Sequence, residues 1–153
     1  MHTSMLKELI DRYESATFTV NRIMNAKIRD QLPESITLDQ LGILRYVRDR
    51  GVCTPSELAD FFCVGKSSIT AIVKRLADKE FIKRLADEQD RRVTYLALTK
   101  SGEQLVLEVN DKIEGMLTAF MKHFEDQEVR TFIGTYEKLA QILVEAEGGR
   151  SKS

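Results

Sequence analysis

Two short helices separated by three residues leave a chain few ways to fold, and such a pair is spelled out between Thr54 and Lys79. Thr54-Pro55-Ser56-Glu57 is a capping box: Thr54 caps, Pro55 takes the first helical position where a missing N–H costs nothing, and Glu57 reaches back. Leu58, Ala59, Phe61 and Phe62 are expected to give this helix its buried side. Cys63-Val64-Gly65 is the turn, with Gly65 an acceptable N-cap for the second helix. In that helix, Ile69, Ile72, Val73 and Leu76 fall within an arc of about 100°. Ser67, Ala71, Lys74 and Asp78 lie opposite, flanked by Ser68 and Arg75. Beyond Lys79, Phe81–Ala86 and Arg92–Leu98 read as two paired strands joined through the polar stretch DEQDRR. Helix, turn, helix and basic hairpin are the plan of a winged helix-turn-helix, which we place at residues 37–99.

A helix with that outer face suits duplex DNA. The major groove admits an α-helix, and its hydrogen-bond patterns distinguish all four base pairs. Short side chains at the helix start let the backbone come close, with Ser67, Ser68 and Thr70 supplying donors and acceptors. Lys74 and Arg75, a turn further on, can reach base edges or phosphates; Lys66 is expected at a phosphate, beside the free N–H groups of the helix start. The competing reading is a solvated polar face on a surface helix. Net charge is −1, but its distribution matters more than the sum. Residues 66–100 hold nine basic and five acidic side chains, whereas residues 101–153 hold six and ten.

The rest of the chain is helical in pattern. From Met5 to about Arg29, apolar residues recur at Leu6, Leu9, Ile10, Tyr13, Val20, Met24 and Ile28, until Pro33 disfavours helix in the residue before it. Thr37-Leu38-Asp39-Gln40 is a second capping box, opening a helix that stops near Gly51 and buries Leu41, Leu44 and either Tyr46 or Val47. Val52-Cys53 leaves room for a stub of strand. Two strands alone are marginal in water, so the hairpin must lie on the helices, through Leu96, Leu98 and Ile82. Thr99 caps a long helix with the seam Leu105, Val109, Ile113, Met116, Leu117, Phe120 and Phe124. A last helix begins at Asp126, with Val129, Phe132, Ile133, Tyr136, Leu139, Ala140 and Leu143, and a frayed tail is expected over Glu147–Ser153.

The first and last two helices offer more apolar stripe than the central module can cover. They form either a self-contained bundle or an interlock with a second chain; large apolar surfaces of this kind favour the second, a homodimer. Two-fold symmetry would present two recognition helices to neighbouring major grooves. The fold class expected is mainly α (α+β): a winged helix-turn-helix with dimerisation helices over 5–32 and 100–147, in a single domain of 153 residues.

Other classes find less support. His2 and His123 are the only histidines, and GxSxG, GxxxxGK and HExxH are all missing, so no enzyme and no cofactor is expected. Cys53 and Cys63 stand ten apart with no histidine between them, which does not support a metal site; both are expected as reduced thiols in or near the core. The sharper alternative is a thiol switch beside the recognition helix. A further alternative is a winged-helix module that docks protein instead of DNA, which would lack a steep salt dependence on duplex DNA. No apolar run approaches the roughly 20 residues of a membrane span, and MHTSMLKELIDRYES lacks the layout of a secretory signal, so the expected location is cytoplasmic.

In order along the chain, ITLDQLGIL, TPSELADFF, KSSITAIVKRLADKEFIKR and DEQDRRVTYLALTKSG resemble the MarR family of bacterial regulators, a likeness that covers nearly the whole chain. The resemblance implies a triangular homodimer whose first helix and last two helices interlock, with a winged module at each corner. It implies palindromic operators, usually repression, and release of the DNA by a small, often phenolic or otherwise aromatic, ligand. In a cleft for such a ligand, Tyr13, Phe18, Tyr46 and Phe120 are the aromatic candidates. It also suggests that Asp90 braces Arg92, with Arg91 or Arg92 entering the minor groove, where a narrow A·T-rich tract attracts arginine. Two positions depart from the family pattern: Ala71 stands where arginine is frequent, so the common operator preference is not carried over, and Glu80 stands where glycine is frequent, implying a modified turn into the wing.

Overall fold

The computed structural model describes residues 1–150. In order they form α1 (Thr3–Gln31), α2 (Leu38–Arg50), α3 (Pro55–Phe62), α4 (Lys66–Asp78), β1 (Ile82–Ala86), β2 (Thr94–Leu98), α5 (Lys100–Met121) and α6 (Asp126–Arg150). Their contacts group into two compact units, Met1–Ile113 and the residues from Glu114 on, and α5 runs from one into the other. No helix among the described residues is long and apolar enough to cross a membrane.

In the first unit, both capping boxes close as the sequence requires. The Gln40 N–H donates to Thr37 Oγ1 at 3.2 Å while the Thr37 N–H donates to Gln40 Oε1 at 3.2 Å. Glu57 and Thr54 repeat the exchange at the start of α3, with Pro55 at the first position. The core is assembled from Leu41, Ile43, Leu44 and Val47 of α2, Leu58 and Ala59 of α3, and Ile69, Val73 and Leu76 of α4. Ile82 and Leu96 of the hairpin and Val106, Val109 and Ile113 of α5 complete it. Of the two α2 candidates, Val47 is buried and Tyr46 only half so.

β1 and β2 pair antiparallel from Ile82 opposite Leu98 to Ala86 opposite Thr94. The stub of strand is a single bridge, in which the Cys53 N–H donates to the Leu96 carbonyl at 3.1 Å and the Leu96 N–H donates to the Cys53 carbonyl at 2.7 Å. β2 begins two residues later than expected because Arg92 and Val93 belong to the loop, whose Val93 N–H is bound to the Asp90 carbonyl at 3.1 Å.

Both helices of the central pair end in a left-handed residue. After α3, Cys63 (φ 54°) receives that role, with the Val64 N–H bonded to the Ala59 carbonyl and the Cys63 N–H to that of Asp60. After α4, Glu80 (φ 63°) plays the same part, with Phe81 N–H on the Leu76 carbonyl and Glu80 N–H on that of Ala77. These are Schellman motifs, which usually place glycine at this position. The expected modification of the turn at Glu80 is therefore absent: the ordinary motif forms, and a side-chain-bearing residue accepts the conformation.

Other expectations need correction. Phe61 is 60 % exposed, because it lies about 110° around α3 from the centre of the Leu58–Ala59 side. Its ring packs outside the core, 4.5 Å from Tyr46 and 5.0 Å from Phe62. The seam of α5 runs through Val106 instead of Leu105, which is half-buried. Cys63 is exposed; as the residue just past α3 it stands outside the core that takes in Cys53.

Thr99 begins α5 as expected, accepting the Gly102 N–H at 3.0 Å. Gly102 has a second role that spacing did not indicate: a Cβ there would stand 2.1 Å from the Phe81 carbonyl oxygen. α1 buries none of its residues, leaving Leu6, Leu9, Ile10, Tyr13, Phe18 and Val20 exposed.

In the second unit, Met121, Phe124, Val129, Phe132 and Ile133 surround an apolar pocket of about 190 Å³. Phe132 stacks on Tyr136 at 5.3 Å. α6 continues to Arg150, so most of the expected frayed tail is helical; Ser151–Ser153 lie outside the described residues.

Candidate nucleic-acid interface

Burial of Ile69, Val73 and Leu76 fixes which way α4 faces, with Ile72 half-buried at the margin. The opposite face is consequently outward: Lys66, Ser67, Ser68, Thr70, Lys74 and Arg75 are all exposed, as are Ala71 and Asp78. α4 starts from Gly65 with no side-chain cap and no acidic residue in its first turn. Its first amides thus keep the partial positive charge of a helix start, which favours phosphate. The Thr70 hydroxyl donates to the Lys66 carbonyl at 2.8 Å within the helix, which leaves its oxygen as an acceptor on the outer face.

The wing owes its shape to two aspartates. Asp87 accepts the Gln89 N–H at 2.8 Å, the Asp90 N–H at 3.3 Å and the Tyr95 hydroxyl at 3.1 Å. Those bonds hold its carboxyl below the usual range, the Gln89 N–H most strongly. The same contact with Asp87 pushes the Tyr95 hydroxyl up, by the hydrogen bond first and the carboxylate charge second.

Asp90 in turn receives the Arg92 guanidinium, Nε at 3.1 Å and Nη2 at 3.4 Å, together with the Arg92 N–H at 3.0 Å. Its carboxyl is also lowered, first by the guanidinium and then by the backbone N–H. The Arg92 side chain remains 92 % exposed although Asp90 holds one edge of its guanidinium, and Arg91 is exposed beside it. A notch of about 420 Å³ separates Arg92, Val93 and Thr94 from Thr54, Pro55 and Ser56, so the start of α3 borders the wing.

Asp87 and Tyr95 were not singled out in the sequence. An Asp at the end of an extended run, before a polar stretch, is the available signal for an Asx turn. Among the aromatic candidates for a ligand cleft, Tyr46 is engaged with Phe61 and carries the Arg50 guanidinium 5.4 Å above its ring, while Arg22 lies 5.9 Å over Phe18. The Cys53 thiol is pushed up to about 11, chiefly by burial and then by the nearby Glu57 charge.

An outward polar helix anchored by an aliphatic seam, followed by a hairpin that presents braced arginine, is a winged helix-turn-helix. The MarR family model matches residues 36–94. The HTH-type transcriptional regulator YpoP of Bacillus subtilis is 30% identical over 116 residues, covering 74% of this chain and 80% of that protein. The HTH-type transcriptional regulator FarR of Neisseria gonorrhoeae is 31% identical over 114 residues, covering 74% and 73%. Among solved structures, Streptococcus pneumoniae FabT in complex with DNA shares the fold, with a TM-score of 0.75, 23% identity, and coverage of 91% of this chain and 98% of that one. The chain belongs to the MarR family, whose members are DNA-binding regulators and not enzymes.

Proposed function

We propose that this protein acts as a homodimeric repressor, occupying a palindromic operator until a small aromatic ligand releases it. The observation that carries the DNA reading is the outward ridge of α4, with Ser67, Ser68, Lys74 and Arg75 exposed on one side and Ile69, Val73 and Leu76 buried on the other. Ser67, Ser68, Thr70, Lys74 and Arg75 enter the major groove, Lys66 meets phosphate, and Arg91 and Arg92 enter the minor groove with Asp90 as brace. The homodimer reading is supported by exposed apolar side chains on α1 and on α6, among them Leu6, Leu9, Ile10, Phe132, Tyr136 and Leu143. The segment 5–32, most of it in α1, and the helices of 100–147 are the dimerisation elements, and 37–99 is the DNA-binding part. FabT is described in complex with DNA, and MdtR of Bacillus subtilis as an HTH-type transcriptional repressor; both support the reading by kinship.

The test is selection of duplexes from a random-sequence library by the purified full chain, with light scattering on the same preparation. The expected result is an inverted-repeat consensus bound by a particle of twice the chain mass, with affinity falling steeply as salt rises. Recovery of no consensus, with salt-independent retention of protein partners, would instead establish a protein-docking module. Loss of DNA on adding an aromatic acid tests the ligand step.

A further inference from the structure

The end of the recognition helix is tied to the rest of the first unit by one side chain with two acceptors. Lys79, the C-cap of α4, donates from Nζ to the Ser35 carbonyl and, at 3.3 Å, to Gln40 Oε1. Ser35 lies in the connector between α1 and α2. Gln40 is 3 % exposed, and the same Oε1 accepts the Thr37 N–H that closes the α2 cap. One buried amide oxygen therefore serves both the start of α2 and the end of α4. On the other side of the same turn, the Thr99 hydroxyl donates to the Glu80 carbonyl at 2.6 Å and the Thr99 N–H to that of Phe81 at 3.0 Å. Residues 79–81 thus form the joint between the α1–α2 connector, the recognition helix, the wing and the start of α5.

We propose that Lys79 is a positioning residue for sequence reading, fastening the far end of α4 to the α1–α2 connector and the start of α2 so that these hold the angle of the recognition helix. This rests on the reading of α4 as the helix that enters DNA. The burial of Ile69, Val73 and Leu76 keeps α4 on the core without Lys79. That seam is apolar and non-directional, and Lys79 adds a restraint at its far end because one ammonium is shared between two acceptors that are themselves fixed, a backbone carbonyl and a buried amide oxygen. Base-edge contacts need aligned donors and acceptors and are lost by rocking of the helix, whereas phosphate contacts by flexible Lys and Arg survive it. The device therefore acts on specificity and leaves the electrostatic part of binding alone.

The experiment compares wild type, Lys79→Met and Lys79→Arg on two labelled duplexes, one selected from a random library by wild type and one of scrambled sequence, over a salt series well below each melting temperature. Lys79→Met is expected to bind the selected duplex about tenfold more weakly, with scrambled-duplex affinity and both salt slopes unchanged; Lys79→Arg, which can still donate to both acceptors, restores selected-duplex affinity to within about twofold. If Lys79→Met does not fold, Lys79→Gln, too short to reach both acceptors, is expected to show the same selective loss. Unchanged affinity overturns the proposal. So does an equal loss on both duplexes with a salt slope shallower by about 0.9, which would make Lys79 a phosphate contact. A wild type that selects no duplex fails the DNA-binding reading itself, before any variant is compared.

Discussion

Tyr95 donates its hydroxyl to Asp87 across the base of the wing at 3.1 Å, joining the second strand to the first residue after β1. Because the Asp87 carboxyl is held below its ordinary value, its share of wing stability is present above pH about 4 and is lost as pH falls through the lowered folded value. Tyr95 is raised, so its share is present below pH about 10 and lost as pH climbs through the folded value. Carboxyl-detected NMR titration should find Asp87 below an isolated aspartate, and Tyr95→Phe should move it upward. No movement in that variant would remove Tyr95 from the set of groups holding Asp87.

Arg92→Ala should weaken operator binding about tenfold and reduce the salt slope by about 0.9, the signature of one released counterion. Asp90→Asn keeps the arginine but loosens its guanidinium; a smaller loss with no change in slope is expected. Fluorescence anisotropy across a salt series reads both. A steeper loss for Asp90→Asn than for Arg92→Ala would reverse the roles of brace and probe.

Gly102→Ala should destabilise the protein by about 3 kcal/mol, since the added carbon meets the Phe81 backbone and no flexible side chain can yield. Urea unfolding monitored by circular dichroism measures it. A cost under about 1 kcal/mol would mean that the start of α5 and the Phe81 turn can part without penalty.

Glu80→Gly should stabilise by about 0.5–1 kcal/mol, the left-handed strain relieved less the extra chain entropy that glycine brings. Cys63→Gly should do the same at the end of α3, where φ is 54°. Lower midpoints for both variants would show that the two side chains make contacts worth more than the strain.

Alkylation under native conditions should label Cys63 and spare Cys53, whose thiol is buried and pushed up to about 11. Mass spectrometry after brief iodoacetamide treatment distinguishes them. Mild peroxide with DNA affinity followed in parallel tests the thiol-switch alternative: oxidation of Cys63 without loss of DNA would dismiss it.

The features legible in the sequence are local ones. The boxes at Thr37–Gln40 and Thr54–Glu57 involve residues three apart, so their spacing alone announces them. The outward side of α4 came from periodicity, and the Asp90–Arg92 pair from family likeness. Features that depend on distant chain were hidden. Lys79 meets partners 39 and 44 residues away. Gly102 matters because of where Phe81 passes, and Phe61 was misplaced because an eight-residue helix has room for only a narrow buried side. The slip from Leu105 to Val106 has the same origin: both fit a helical repeat, and only the neighbouring helices decide between them.

Among the described residues α1 is the longest helix, and it buries none of its own side chains fully. Where a second copy supplies that shelter, dilution itself becomes an input. There the packing of α1 would depend on how many copies of the chain are present, and so would anything that α1 supports.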